Sequence, residues 1–270
     1  MRISSGKLWL TAALVAMVAS TPSNAQNLES IREAGTITIG VKADSKPWAY
    51  LNEAGEPIGW EIDLANALAE ELKAQPRLVI VTSASRIQFL EQGMIDIVLA
   101  TMSDTPERRR VVHMIEPPYF ADATNLLTRR DIAIEDWSDL ENRKICGVQG
   151  SIYNKPVQQD HGAEVVAFAG LTEALAALKN GTCDGFVYAD QILRETAASD
   201  DWQDYTVRLE PIDEIPWAIA VRKDEADSEL SKELSDIVAR WHRTGYLLET
   251  AEKWGLGSNP FLNRNNGNGG

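Results

Sequence analysis

The chain has 270 residues, enough for one large domain or two small ones, and carries 26 Lys and Arg against 40 Asp and Glu. The formal charge of −14 disfavours nucleic acid and anionic membranes as partners, because both are themselves negatively charged. The two cysteines and three isolated histidines lack the spacing of a metal site, so we expect no metal and no cofactor.

The N-terminus has the pattern of a cleaved signal peptide. Arg2 and Lys7 flank an apolar run, LWLTAALVAMVA, that is too short to span a bilayer, and small residues in SNA (23–25) match a cleavage site. We therefore predict a signal peptide over 1–25 and a soluble mature protein in the periplasm; an uncleaved anchor is the alternative. Without 1–25 the chain keeps 24 basic and 40 acidic residues, a charge of −16.

The two cysteines, Cys146 and Cys183, are an even number in a chain predicted to be exported. An oxidising compartment favours a disulfide between them over two buried thiols.

Strands alternate with helices along most of the mature chain. In the first half, apolar alternation or helical spacing predicts a strand at 36–43, a helix at 59–75, a strand at 77–83, a short helix at 85–93 and a strand at 95–101. The second half repeats the order, with elements at 144–150, 164–170, 171–181, 183–190 and 191–199. This alternation predicts an α/β fold with parallel sheets.

The C-terminal part differs from this pattern. IPWAIAVRKD (215–224) is predicted as a strand, and 228–255 as one or two amphipathic helices. The polar, glycine-rich tail over 263–270 is predicted to be disordered.

A faint internal repeat suggests two similar lobes. Leu90-x-x-Gly93-x-x-Asp96 precedes one buried strand, and Leu178-x-x-Gly181-x-x-Asp184 precedes another. Because ligands of open α/β sheets bind beyond the carboxyl ends of the strands, the segments ATMSDTPER and YADQ are the candidate binding segments.

Arg108 is the first candidate binding residue. Its guanidinium matches a carboxylate bidentately, Ser103 and Thr101 add hydroxyl groups, and Pro106 opens a helix capped by Asp104 or Thr105. The alternative is a capped helix with solvated arginines, the role favoured for Arg109 and Arg110.

Two further candidates lie in the second half. Asp190 ends a buried strand, where a carboxylate is costly unless it pairs with a ligand's ammonium group or caps the next helix. Gly150 and Ser151 form a strand-to-helix turn, which either offers free N–H groups to a carboxylate or is an ordinary turn.

Trp48 and Trp60 lie near the first strand and first helix, where core packing is favoured over a role as pocket walls. Catalysis finds less support, because the chain has no Gly-x-Ser-x-Gly, no P-loop and no supported Ser–His–Asp set. The acidic pair Glu61 and Asp63 lies on a helix, where solvated acids are the rule.

Four segments carry a resemblance to a known family. They are GWEIDLANALAEEL, DIVLATMSDTPERRRVVHMIEPPYF, ICGVQGS and CDGFVYAD, and they resemble the periplasmic solute-binding proteins of polar amino-acid ABC importers (family 3), over nearly all of the mature chain. The resemblance implies a two-lobed periplasmic binding protein fold (type II), with each lobe a mostly parallel sheet and a two-strand hinge. It also implies capture of an amino acid by hinge closure, transfer to permease subunits in the inner membrane, and no enzymatic activity.

The resemblance also implies a division of the chain and a set of ligand contacts. The implied division is lobe 1 at 26–122 and 214–262, and lobe 2 at 123–213, with crossovers near 121–127 and 210–215. The implied contacts are Arg108, Ser103 and Ser151 to the carboxylate, and the Ala100 carbonyl and Asp190 to the ammonium. The candidate binding residues also include Thr101, Trp48 and Trp60, from their positions in the sequence, and Ser45, at the platform position of the family. We further expect a monomer and, as in the glutamate and general amino-acid branch of the family, a cysteine bridge between strands of the second lobe.

The chain departs from the family pattern in places. Ser45 stands where an aromatic platform is frequent, and His113 and Met114 replace an aspartate and a phenylalanine. These departures leave the side chain of the ligand open, and Lys42 either reaches an acidic side chain or faces solvent. The alternative function is an exported prephenate (cyclohexadienyl) dehydratase on the same scaffold. The sensor domain of a membrane receptor is disfavoured, because no second hydrophobic segment follows.

Overall fold

The computed structural model describes residues 28–257 and 259–265. The predicted signal peptide over 1–25 and residues 266–270 of the predicted tail lie outside this part of the chain. Among the residues it covers, no helix is both long enough and apolar enough to cross a membrane.

The elements are numbered in chain order. The strands are β1 (Thr36–Val41), β2 (Asp44–Ser45), β3 (Ala49–Leu51), β4 (Pro57–Ile58), β5 (Gln75–Ile80), β6 (Ile97–Val98), β7 (Val112–Met114), β8 (Phe120–Arg129), β9 (Lys144–Val148), β10 (Glu164–Phe168), β11 (Gly185–Ala189), β12 (Tyr205–Thr206), β13 (Ile212–Trp217) and β14 (Ala220–Arg222). The helices are α1 (Leu28–Ala34), α2 (Trp60–Glu71), α3 (Arg86–Glu91), α4 (Pro106–Arg109), α5 (Asn154–Gln159), α6 (Leu171–Lys179), α7 (Asp190–Ala198), α8 (Glu229–Thr244), α9 (Tyr246–Lys253) and α10 (Pro260–Asn265).

The first lobe is built on a sheet of order β5-β1-β6-β14-β7. β1 is parallel to β5 and β6, whereas β14, from the C-terminal part of the chain, lies antiparallel between β6 and β7. Nearly all of β1 is buried, as expected for a central parallel strand covered on both faces. The helical spacing of α2 turns Ile62, Leu68 and Ala69 inward against this sheet.

The second lobe is built on a sheet of order β10-β9-β11-β8-β12, in which β13 also pairs with β8. β9 is parallel to β10 and β11, and β8 is antiparallel to β11, β12 and β13. Cys146 of β9 is disulfide-bonded to Cys183, just before β11, with their Cα atoms 5.5 Å apart. The predicted bridge is therefore confirmed.

Two antiparallel strands connect the lobes. β8 enters the second sheet and β13 leaves it, with Phe120 opposite Trp217 at the end nearer the first lobe. The two-lobed α/β fold with a two-strand connection agrees with the prediction. Both sheets are mixed, because β8, β13 and β14 add antiparallel pairs to the expected parallel ones.

The structure corrects two local predictions. Residues 215–224 are not one strand, because β13 ends at Trp217 in the second sheet and β14 begins at Ala220 in the first. Residues 263–265 are helical rather than disordered, because they complete α10, whose Leu262 is buried.

Candidate functional site

The segment after β6 carries the main candidate residues. Thr101 has a left-handed φ of 47°, which turns the chain at the carboxyl end of the strand. Thr105 then caps α4, its side chain accepting a hydrogen bond from the Arg108 backbone N–H at 3.3 Å, with Pro106 in the first turn. This capped turn directs the Arg108 side chain inward, where it is only 7% exposed.

Arg108 connects the two lobes. Its Nη1 donates to the Ser103 carbonyl at 2.7 Å, and its Nη2 donates to the Gly150 carbonyl of the second lobe at 3.1 Å. Gly150 has a φ of 72°, and a Cβ there would come within 2.7 Å of the Ala84 backbone. Only glycine therefore permits this close approach of the lobes.

A second buried guanidinium, that of Arg86 on α3, lies beside Arg108. Its Nη1 donates to the carbonyls of Ala100 and Thr101. The Glu61 carboxylate of α2 accepts hydrogen bonds from the Thr101 N–H at 2.7 Å and from the Tyr119 hydroxyl. The sequence analysis interpreted Glu61 as a solvated acid on a helix, and it did not single out Arg86. The position of Arg86, directly before the apolar run of a short helix, was the one sequence feature that indicated its burial.

Burial dominates the electrostatics of this group. Burial, followed by the positive charge of Arg86, lowers the pKa of Arg108 to about 9. Burial also lowers the pKa of Arg86, and it raises that of Glu61 to about 7 against the hydrogen bonds from Tyr119 and Thr101. The cleft therefore concentrates positive charge that nearby carboxyl groups such as Glu61 only partly offset.

Three buried polar atoms of this group lack a hydrogen-bond partner among the residues described. They are Glu61 Oε2, Arg86 Nε and Thr101 Oγ1. Buried polar atoms in proteins are nearly always paired, so unpaired ones gathered in a cleft indicate a place for a polar ligand or for water. Tyr153 and Tyr188 of the second lobe, with ring centroids 5.3 Å apart, lie close to the two arginines.

The structure does not bring Asp190 into this group. Its carboxylate accepts from Asn125 Nδ2 at 2.5 Å and pairs with Arg194 of the next helical turn at 2.9 Å. It lines a separate cavity of about 230 Å³ beside the two connecting strands, together with the buried Asp122. Asp190 is the first residue of α7 rather than its cap, so the capping alternative is also not seen.

The other predicted contacts divide between the cleft and the core. Ser103 and Thr101 are buried next to Arg108 and Arg86, and the Ser151 hydroxyl accepts from the Tyr153 N–H at 3.3 Å. Ser45 is fully buried and donates to Asp44 at 3.3 Å.

Trp48 and Trp60 are fully buried in an aromatic cluster. Trp48 packs on Phe120 and Trp217, and the Trp60 indole N–H donates to Thr250 at 3.0 Å. Both tryptophans therefore have the core role that the sequence favoured over pocket walls.

The sequence left open whether two more cationic side chains, Arg109 and Lys42, are solvated or paired. Arg109 is exposed and pairs with Asp104 and Glu116, which agrees with a structural role. Lys42 is almost fully buried, its Nζ 2.9 Å from Asp44 Oδ1, so it does not face solvent. Within the described part of the chain, no group of three or more His, Cys, Asp or Glu side chains is placed to hold a metal ion.

Comparison with known proteins places these observations in a family. The model of the bacterial extracellular solute-binding proteins, family 3, matches residues 37–257. A glutamine-binding protein of an ABC transporter from Bacillus subtilis is 30% identical, over 87% of each chain. An L-glutamate/L-aspartate-binding protein from Pseudomonas aeruginosa is 27% identical, over 91% of this chain and 86% of its own.

Solved structures agree with this result. A cysteine-binding protein from Campylobacter jejuni matches with a TM-score of 0.79 and 25% identity, over 84% of this chain and 92% of its own. A reconstructed ancestral amino-acid-binding protein, described as a precursor of cyclohexadienyl dehydratase, matches with a TM-score of 0.76 and 27% identity, over 84% and 98%. The chain belongs to the bacterial extracellular solute-binding proteins, family 3.

Proposed function

We propose that this chain is the periplasmic receptor of an amino-acid ABC importer and has no chemistry of its own. It captures a polar or acidic amino acid in the cleft, closes about β8 and β13, and delivers the ligand as a monomer to the permease. The proposal rests on the position of Arg108, whose guanidinium is buried between the lobes and donates a hydrogen bond to a carbonyl of each lobe. Of its five N–H donors, two are used by Ser103 and Gly150, so others remain for a carboxylate.

The ammonium group of the ligand needs acceptors in the same cleft. The Ala100 carbonyl already accepts from Arg86, and Asp190 is held by Asn125 and Arg194. Glu61 Oε2 and Thr101 Oγ1 are better placed to receive it, because both are buried acceptors without a hydrogen-bond partner among the residues described. We also propose the predicted lobe boundaries, which fall inside β8 and β13.

The balance of charge favours an acidic ligand. Three buried cations, Lys42, Arg86 and Arg108, face two acids, Asp44 and Glu61, and the pKa of Glu61 is itself raised to about 7. An acidic amino acid adds a net negative charge and so reduces this imbalance, whereas a basic one increases it. The Pseudomonas aeruginosa relative is named for glutamate and aspartate, which supports the same ligand class.

Isothermal titration calorimetry of the ligand-free mature protein tests the ligand class. We expect glutamate or aspartate to bind most tightly, glutamine more weakly, and arginine not measurably. Binding of arginine without binding of glutamate would contradict the charge argument.

The dehydratase alternative rests on Glu61, a buried carboxyl group whose pKa of about 7 suits acid–base catalysis. Against this role, Glu61 Oε1 is fixed by the Thr101 N–H and the Tyr119 hydroxyl. We expect no loss of prephenate on incubation with the protein. Turnover that disappears in Glu61→Gln would show an enzyme instead of a pure receptor.

A further inference from the structure

Helix α6 of the second lobe begins without a cap of its own. Its N-cap residue is Gly170, which has no side chain to accept from the first N–H groups of the helix. Other helices supply this acceptor locally, as Thr105 does for α4 and Ser228 for α8. Such unpaired N–H groups are costly when buried, and Leu171, the first residue of α6, is only 3% exposed.

The missing acceptor comes from the other lobe. Asp44 Oδ2, on β2, accepts the Leu171 N–H at 2.8 Å. Asp44 Oδ1 pairs with Lys42 Nζ at 2.9 Å and accepts from Ser45 Oγ at 3.3 Å, so both carboxylate oxygens are fixed. A rigidly held carboxylate at a helix N-terminus is stabilised by the hydrogen bond and by the helix dipole together.

Gly170 is what permits the contact. A Cβ at this position would lie 2.8 Å from Asp44 Oδ2 and 2.8 Å from the carboxylate of Glu173. The backbone of Gly170, at φ −147° and ψ 179°, is nevertheless ordinary extended chain that any residue adopts. A Cβ at 170 would therefore displace the Asp44 carboxylate as well as the flexible end of the Glu173 side chain, although the backbone conformation itself does not call for glycine.

We propose that Asp44 is an interlobe cap: it completes α6 only when the lobes are closed, and it thereby stabilises the closed form. Lys42 holds the cap and also lies near Glu61 in the cleft, so the same lysine contacts the cap and borders the ligand site. The purpose of such a cap rests on the proposed receptor function, because a receptor must balance its open and closed forms.

Amide hydrogen exchange of the ligand-free mature protein tests this proposal. The variants are Asp44→Ala, which removes the acceptor, and Gly170→Ala, which obstructs its approach while leaving the fold of each lobe possible. We expect both variants to accelerate exchange at the Leu171 amide by about tenfold or more, since a lost charge-assisted hydrogen bond has an effect of that size. The radius of gyration from small-angle scattering should rise in both.

Asp136→Ala is the matched control. Asp136 caps the short 3₁₀ turn Trp137–Leu140 by accepting from the Ser138 N–H, entirely within the second lobe. Its loss should accelerate exchange near Ser138 and leave Leu171 and the radius of gyration unchanged. Unchanged exchange at Leu171 in both Asp44→Ala and Gly170→Ala, with circular dichroism showing folded protein, overturns the proposal.

The result of the hydrogen-exchange experiment can be distinguished from the result of the glutamate-binding experiment. If glutamate fails to bind while exchange at Leu171 accelerates in the variants, the ligand proposal is wrong and the interlobe cap is supported. If glutamate binds to the parent protein while exchange at the Leu171 amide is unchanged in the variants, the ligand proposal is supported and the interlobe cap is wrong.

Discussion

Arg86 alters the chemistry expected of the cleft. The family resemblance implies that the Ala100 carbonyl receives the ligand's ammonium group, but in the structure this carbonyl accepts from Arg86. A guanidinium at that position lies next to the Glu61 carboxylate and to Arg108. A ligand must therefore suit two guanidinium groups at close range, which a second carboxylate does and a second ammonium does not.

Replacing Arg108 by Ala should abolish binding without unfolding the protein. Loss of the donors to a ligand carboxylate should weaken affinity by about 100-fold or more, because charge-assisted bonds are lost in a dry site. The melting temperature without ligand should barely move, because a buried guanidinium with a lowered pKa contributes little net stability. Calorimetry and thermal unfolding measure the two effects.

Arg109→Ala is the control for this variant. Arg109 is adjacent in sequence but exposed and paired with Asp104 and Glu116, so its loss should leave affinity unchanged. Loss of fold in Arg108→Ala equal to its loss of binding would instead favour the helix-cap role.

Asp122→Asn should change how stability depends on pH. Burial, followed by the repulsion of Asp190, raises the pKa of Asp122 from 3.8 to about 8, against hydrogen bonds from the Ala123 and Gln191 N–H groups. The native state thus binds the proton more tightly than the unfolded chain, so this residue makes stability fall as pH rises from 3.8 to about 8.

We therefore expect the melting temperature of Asp122→Asn, relative to the parent, to increase steadily between pH 5 and pH 8, a window inside that range. Asp131→Asn, at an exposed position, is the control and should show no such trend. Parallel pH profiles for the parent and Asp122→Asn would show that burial does not perturb this group.

At the scale of elements, the sequence pattern predicted the strands and helices that follow from a local periodicity of apolar residues. The sequence shows the apolar alternation of β1 and the helical spacing of α2 and α6, and the structure has a strand and two helices at these positions. The split between β13 and β14 is not visible, because IPWAIAV stays apolar across the two residues where the chain changes sheets. Burial of Arg86 and Glu61 likewise depends on which helices pack together, which no local pattern contains.

The disulfide gives a prediction at this scale. Cys146 and Cys183 enclose a loop of 37 residues, so replacing both by Ser should lower the free energy of unfolding by about 4 kcal/mol through chain entropy. Urea denaturation measures the loss. Intact-mass measurement with and without reductant should differ by two hydrogens in the parent, and the absence of that difference would refute the bridge.

At the scale of the whole molecule, the two lobes meet at separate places around the cleft. Arg108 reaches Gly150, the Trp217 indole N–H donates to the Tyr153 hydroxyl at 3.2 Å, and Asp44 reaches Leu171. The contacts of Arg108 and Asp44 join groups from both lobes, so separating the lobes breaks them, whereas Trp217 stands at the end of the connecting strand β13. The closed form is therefore held by a few polar contacts that a ligand supplements.

Ligand binding should raise the stability of the whole protein. At a glutamate concentration one hundred times its Kd, linkage contributes about 2.7 kcal/mol. For a chain of this size the melting temperature should rise by roughly 5–10 °C, from about 2–4 °C per kcal/mol. A thermal-shift series with glutamate, aspartate and arginine measures this, and a rise that persists in Arg108→Ala would contradict the assigned site.

The position of β14 has a consequence for biosynthesis. β14 is formed by residues 220–222 yet separates β6 from β7, two strands that are made more than a hundred residues earlier. Until β14 has been synthesised, β6 and β7 lack the strand that lies between them and pairs with both. The first lobe can thus complete its five-stranded sheet only after residues 220–222 have been synthesised.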